Sequence, residues 1–352
     1  MQISHFDLKK IYNLLYIIFI VALFVYFGAI GSKHGFTSLT SNFPFRKQMI
    51  SFVTEIRLKI GDRVFQQTLV SDSGWLEFLQ PVYMNDYQNI DTFKPANLQR
   101  IDELLEDFNT ELSKRQITLL IVIAPNKATI YPENMPVQIQ KAQAVSRLDT
   151  FLEYMDKHAP PIFVDLRPSL LEAKQYDQIY YATDTHWNPI GAYYGYTAIM
   201  EALSVTHPQL HQLELNKFTK TLSDRRSDLV NLMQSTSLTE TSPELRSNFE
   251  REEQWIVLNN ENPPVKISLQ PNSKQPRILI YHDSFGLALM QFLPNHFSEA
   301  AFVNINVQEK DLFSYGFIDQ VAPDIIIIEI VERALPRIEE VLTKFDRSIT
   351  KK

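Results

Sequence analysis

Residues 323–330 read PDIIIIEI, an apolar run of strand length that opens on Pro323 and Asp324 and holds one further acid, Glu329, among its isoleucines. Four similar runs occur upstream: ITLLIVIAP at 117–125, PIFVD at 161–165, RILIY at 277–281 and AAFVNI at 300–305. Continuous apolar runs suit strands buried on both faces, the situation inside a parallel sheet. Between them lie stretches with helical spacing. Leu98, Ile101, Leu104, Leu105, Phe108 and Leu112 mark the strongest, over 95–115. Others are predicted at 141–157, at 188–204, from the end of the 277–281 run to about 293, and at 335–348. Strand and helix in alternation predict an α/β chain: a three-layer, doubly wound domain with a mostly parallel central sheet. Residues 46–70 read as a further helix, and SDSGWLEFL at 71–79 as a turn followed by a strand. Residues 235–276 break the rhythm. They are rich in Ser, Thr, Asn, Pro and Glu around WIVL at 255–258, and are expected to form an irregular excursion or β-insert within the same domain.

Composition matters here mainly for what it excludes. With 352 residues, 45% of them apolar, the chain can bury a large core. A net charge of −7 without a basic block argues against nucleic-acid binding. The chain has no cysteine, so disulfides, thiolate metal sites and a cysteine nucleophile are all ruled out.

Residues 11–31, IYNLLYIIFIVALFVYFGAIG, carry no charge. A helix of that length spans roughly 30 Å, the thickness of a bilayer's hydrocarbon core. Lys9 and Lys10 precede it, so residues 1–10 are expected to stay cytoplasmic and the remainder to be exported. The expectation is an inner-membrane protein with a single-pass signal anchor at 11–31, a linker at 32–45 and an extracytoplasmic domain over 46–352. A cleaved signal peptide is the alternative, although its apolar region normally runs about 7–15 residues. A buried core helix is the third.

In an open α/β sheet, functional groups gather at the carboxyl ends of strands. The 277–281 run ends in His282, Asp283 and Ser284, where a helix is expected to begin. A serine there sits beside amides that can donate to an oxyanion, but it needs a base to become nucleophilic. The sequence TDTHWN at 183–188 offers one. In an extended segment Asp184 and His186 point to the same face, so the acid can orient the imidazole. Asn188 and Pro189 have the character of an N-cap and first residue of the next helix. A plain capping role for Ser284 and a structural role for His186 are the competing readings, and Asp283 is read as structural.

The blocks DTHWN with Gly191 and Ala192, and DSFG at 283–286, resemble the signature blocks of the SGNH-hydrolase-like alginate O-acetyltransferase family. GWLEFL (Gly74 to Leu79), APNKATIYPE (Ala124 to Glu133), SDLVNLM (Ser227 to Met233) and PDIIIIEIVERAL (Pro323 to Leu335) resemble further family blocks, in family order. The resemblance implies an extracytoplasmic enzyme that transfers acetyl groups to polysaccharide hydroxyls, supplied by a multispanning MBOAT-family membrane partner. It implies Ser284 as nucleophile, His186 as base and Asp184 as orienting acid, with no metal or cofactor. Asp and His precede Ser, the reverse of ordinary SGNH esterases. Lys127, Tyr131, Trp187 and Arg333 are candidate substrate contacts. Each has a structural alternative: an exposed loop lysine, core aromatics, and a Glu332–Arg333 ion pair. Two positions depart from the family pattern. His282 and Ser227 stand where the blocks usually have glycine, and a β-carbon at 282 is expected to narrow the approach to the serine. The rival functions are an SGNH-type carbohydrate esterase and a non-catalytic polysaccharide-binding or docking subunit.

Overall fold

A computed structural model of the chain describes residues 46–349, apart from 159–161, 252, 259–262, 271–273 and 308. The expected anchor at 11–31 and linker at 32–45 lie outside the described residues. Among the described residues no helix is long and apolar enough to cross a membrane. These residues form two compact units, 46–61 with 234–236, and 62–233 with 237–349.

The smaller unit is built on helix α1 (Arg46–Lys59). It ends well short of residue 70, at a turn where Gly61 takes a positive φ of 87°. Ser51 donates to the Gln234 carbonyl at 2.7 Å, and Glu55 accepts from the Ser235 hydroxyl at 2.8 Å and the Thr236 amide at 2.7 Å.

The larger unit follows the alternation read from the sequence. Its elements in order are β1 (Thr68–Val70), β2 (Leu76–Phe78), α2 (Pro81–Tyr87), α3 (Pro95–Ser113), β3 (Thr118–Ala124), α4 (Lys127–Ile130), α5 (Arg147–His158), β4 (Ile162–Asp165), α6 (Arg167–Ala173), α7 (Pro189–Ser204), β5 (Phe218–Arg225), α8 (Asp228–Met233), β6 (Glu240–Ser247), β7 (Gln254–Leu258), β8 (Val265–Leu269), β9 (Arg277–His282), β10 (Glu299–Asn304), α9 (Tyr315–Val321), β11 (Ile325–Val331) and α10 (Arg337–Ile349). Seven strands form one sheet in the order β4-β3-β11-β9-β10-β8-β7. The first five run parallel. β8 is antiparallel to β10, and β7 to β8. Residues 235–276 thus supply β6, β7 and β8, and the last two of these extend the central sheet.

The apolar runs are continuous because both faces of the sheet are covered. Leu120, Val122, Ile278, Ile280, Ile325 and Ile327 face a core completed by α6 and α7. Leu119, Ile121, Ile123, Leu279, Ile326, Ile328 and Ile330 face a second core completed by α3, α5, α9 and α10. Full burial of each such side chain contributes about 1.5–3 kcal/mol. One residue breaks the pattern: Glu329, fully buried and in phase with Ile325 and Ile327.

Candidate active site

Two segments meet at the carboxyl edge of the sheet. The first, 181–188, is bent rather than extended. Tyr180 and Trp187 form an isolated antiparallel bridge, and the Tyr181 amide donates to the His186 carbonyl at 3.2 Å. The bend, and not strand periodicity, brings Asp184 against His186. Asp184 Oδ1 lies 2.6 Å from His186 Nδ1 and 3.2 Å from its amide nitrogen. Asn188 caps α7 as expected, accepting from the amides of Ile190 at 2.9 Å and Gly191 at 3.1 Å. Gly191 is required for close approach. A Cβ there would sit 2.1 Å from the Ile179 carbonyl oxygen.

The loop is held on several sides. Glu240 on β6 accepts from the Ala182 amide at 2.8 Å, the Thr183 amide at 2.9 Å and the Thr183 hydroxyl at 2.7 Å. Asp228, at the start of α8, accepts from the Thr185 amide at 3.0 Å and hydroxyl at 2.6 Å. The second oxygen of Asp184 receives the Asp228 amide and the Arg225 guanidinium, each at 3.2 Å. Lys127 is buried at 1% exposure. Its ammonium donates to the carbonyls of Leu76, Asp184 (2.8 Å) and Ala182 (3.4 Å). This lysine is therefore neither an exposed loop residue nor a group reaching toward solvent.

The second segment follows β9. Ser284 is exposed, and its Oγ lies 2.8 Å from His186 Nε2. Its φ and ψ of −68° and −22° are those of ordinary helical backbone, so hydrogen bonds rather than strain hold the turn. Asp283 is structural, as the sequence suggests. Its two oxygens accept from the Phe285 and Val331 amides, each at 2.8 Å. Its own amide donates to Glu329 at 3.2 Å. The expected helix after the serine is instead a pair of 3-10 segments, Phe285–Gln291 and Leu293–His296. With the Asp283 and Phe285 amides engaged, the amide of Ser284 has no hydrogen-bond partner among the described residues, and lies as a donor beside its own hydroxyl. His282 does not narrow the approach to the serine. It is buried at 2% exposure beside Phe302. The bulk it adds is accommodated at Gly286, where a Cβ would lie 2.4 Å from His282 Cβ and 2.9 Å from Glu329 Oε2.

The remaining expected contacts lie elsewhere. Trp187 is 2% exposed and donates through Nε1 to the Phe285 carbonyl at 3.2 Å, joining the two segments. Tyr131 is buried against Trp75 and accepts the Ile179 amide at 3.0 Å. Glu332 and Arg333 do not pair with each other. Glu332 accepts from the Asn126 amide at 2.9 Å and the Thr129 hydroxyl at 2.6 Å, whereas Arg333 donates to the Asn126 side-chain oxygen at 2.8 Å. The Arg333 guanidinium lies half-buried over the Phe285 ring, 5.5 Å from its centre. Asp228, Arg225, Glu240 and Glu329 support the site without being candidates on sequence grounds. Asp228 lies within the quoted SDLVNLM block, and Glu329 is a lone acid in a run of isoleucines. Arg225 and Glu240 carry no local signal.

Electrostatics fix the direction of the hydrogen bonds. Burial alone would raise the Asp184 carboxyl. The hydrogen bonds from His186 and the Asp228 amide, with the charge of Arg225, outweigh it and hold the group well below the usual carboxylate range. An ionised carboxylate can only accept, so Nδ1 carries the proton and Nε2 is left to accept from the serine hydroxyl. Burial, and then the Asp184 charge, push Asp228 up. Burial, and then the charge of Asp283, push Glu329 far up and favour its neutral acid. Asp184, His186 and Asp228 bring ligating atoms within 4.8 Å of one another. Hydrogen bonds within the loop already occupy the oxygens of both carboxylates, so the cluster serves the imidazole.

Residues 71–299, more than half of the chain, match the family described as SGNH hydrolase-like domain, acetyltransferase AlgX. A probable alginate O-acetylase AlgJ from Pseudomonas aeruginosa is 34% identical over 104 residues, 28% of this chain and 26% of the relative. The chain thus spans about a quarter of the length of the curated relative it matches. Among solved structures, PatB1 of Bacillus cereus with a sulfonyl adduct superposes with a TM-score of 0.57 at 18% identity, covering 76% of this chain and 94% of that one. A DHHW family protein from Eubacterium siraeum superposes with a TM-score of 0.59 at 16% identity, covering 80% and 96%. At such identity these two speak for the fold alone, and that fold is the α/β architecture described above. Family match and fold agree: the chain belongs to the SGNH hydrolase-like AlgX acetyltransferase family.

Proposed function

We propose that the protein is a polysaccharide O-acetyltransferase acting through Ser284, His186 and Asp184. The observation that carries this reading is the unbroken hydrogen-bonded chain from the exposed Ser284 hydroxyl through His186 to the buried, ionised Asp184, in a member of an acetyltransferase family. Ser284 Oγ attacks the carbonyl of a bound acetyl donor and its proton passes to His186 Nε2. The leaving group takes that proton as it departs, giving an acetyl-serine. An acceptor hydroxyl then loses its proton to His186 and attacks the ester, and Ser284 regains its proton. The Ser284 amide donates to the oxyanion in both steps. Asp184 orients the imidazole and stabilises its charged form. Lys127 and Trp187 act as positioning residues, Tyr131 as core, and Arg333, half-exposed over Phe285, as the substrate contact of the four. The scheme uses no metal or cofactor. A sugar polymer is the acceptor because the matched relative is named an alginate O-acetylase. The anchor at 11–31 holds the enzyme on the extracytoplasmic side of the inner membrane, where an MBOAT-family partner supplies the acetyl group.

One observation favours hydrolysis as the second reading: Ser284 is exposed, so water reaches it. Assay of wild type and Ser284→Ala with and without an oligosaccharide acceptor separates the two. Acetylated oligosaccharide formed by wild type alone supports transfer. Acetate released at one rate whether or not acceptor is present supports an esterase, and polymer acetylation that persists in Ser284→Ala supports a non-catalytic docking role.

A further inference from the structure

Helix α1 exposes an apolar stripe. Met49 (43% exposed), Phe52 (67%), Val53 (50%), Ile56 (43%) and, in the turn that follows, Ile60 (76%) recur at helical spacing and share one face. Scattered exposed apolar residues are ordinary, but a continuous row of five is not. The opposite face carries Thr54, which is buried, with Ser51 and Glu55, which are hydrogen-bonded to Gln234, Ser235 and Thr236. The stripe is therefore not the face the helix uses for its own packing.

Charge selects the occupant. Between 46 and 59 the helix has Arg46, Lys47, Arg57 and Lys59 against one acid, Glu55, which is committed to Ser235 and Thr236. Arg46 lies one turn before Met49, and Lys59 lies one turn after Ile56 and beside Ile60, so exposed cations flank the stripe. An apolar row with long basic side chains at its margins is the pattern of a helix lying in a bilayer interface, with its ammonium and guanidinium groups at the headgroups. The uncharged stretch 11–31 ends fifteen residues before the helix begins. A linker of that length tethers α1 close to any bilayer that stretch enters.

We infer that α1 is an interfacial helix that lays its Met49–Phe52–Val53–Ile56–Ile60 face on an anionic lipid surface. The occupant is the lipid headgroup and upper acyl region, not a protein groove. The inference adds a membrane contact to the expected anchor and is independent of the acetyl-transfer chemistry.

The chain has no cysteine, so single labels can be placed at will. The full chain is reconstituted into vesicles of phosphatidylglycerol and phosphatidylcholine in equal parts, or of phosphatidylcholine alone. An environment-sensitive fluorophore is attached at Phe52→Cys, Ile56→Cys or Lys47→Cys, the last exposed and in line with Ser51 and Glu55 on the opposite face, and brominated lipids serve as quenchers. In anionic vesicles the labels at 52 and 56 should be quenched at least about 3-fold more than the label at 47. The difference should shrink in phosphatidylcholine alone and in the double variant Arg46→Glu, Lys59→Glu. Equal quenching at all three positions, or quenching indifferent to lipid charge, overturns the inference. Shielding of 52 and 56 that rises with protein concentration but not with brominated lipid overturns it in favour of a second copy of the chain. Flotation controls separate the anchor from the helix. Protein that fails to float with either vesicle contradicts membrane insertion at 11–31, whereas protein that floats without quenching at 52 and 56 contradicts only the role of α1.

Discussion

At the scale of single residues, the site depends on groups that keep one proton in place. Asp184 accepts from His186 through one oxygen and from Asp228 and Arg225 through the other. Asp184→Asn preserves the shape but cannot hold the same tautomer of His186, so kcat should fall by about 10³–10⁴-fold with little change in KM. Steady-state kinetics with a soluble acetyl donor measure the split, and a loss confined to KM would contradict an orienting role. Glu329 makes a second prediction. Its carboxyl holds the Asp283 amide beneath the nucleophile and is pushed toward the neutral acid by burial and by Asp283. Neutral Glu329→Gln should keep kcat within about 3-fold, whereas Glu329→Asp, which withdraws the carboxyl by one methylene, should lower it on the order of 100-fold through misplacement of the turn. Parallel losses in both variants would argue against the neutral form.

At the scale of elements, legibility followed burial. The five parallel strands could be read from Ile and Val runs because both faces of each strand are covered. The N-cap at Asn188 could be read because its chemistry is local. The 3-10 character of 285–296 could not, since apolar spacing does not separate an i→i+3 turn from an i→i+4 turn. The ties of Glu240, Asp228 and Lys127 to the 182–185 backbone were equally hidden. They join residues 43 to 58 positions apart, and no local pattern records such contacts. The triad could be proposed from two short motifs, but the bend that unites Asp184 with His186 carries no local pattern that distinguishes it from an extended strand. Gly191 shows how finely that bend is docked. Gly191→Ala drives a methyl into the Ile179 carbonyl oxygen, a backbone atom with little freedom to move. It should lower the stability of the fold by about 1–3 kcal/mol and displace the His186 loop. Chemical denaturation would measure the first effect, and a variant as stable as wild type would show that the approach is looser than drawn.

At the scale of the whole molecule, buried ionisable groups set the pH range of the fold. Burial, reinforced by the Asp86 charge, pushes Glu332 up to about 7 against the opposing hydrogen bonds of Thr129 and Asn126. The folded state prefers the neutral acid, so this group's contribution is full below 4.5 and is lost as pH rises toward 7. Burial lowers His296 to about 4, so its neutral ring destabilises the fold as pH falls from 6.5 toward 4. Glu332→Gln keeps the acceptor and removes the titration. Its melting temperature, followed by calorimetry from pH 5 to 8, should decline less than that of wild type, and an unchanged slope would remove Glu332 from the account.

The central claim is that Ser284 carries the acetyl group. Wild type mixed with an acetyl donor, quenched in acid and digested should yield the peptide containing Ser284 with one acetyl group. That modification should vanish when an oligosaccharide is added before the quench, and should not form in His186→Ala. Undiminished acetyl transfer by Ser284→Ala, with no acetylated peptide in wild type, would contradict the account.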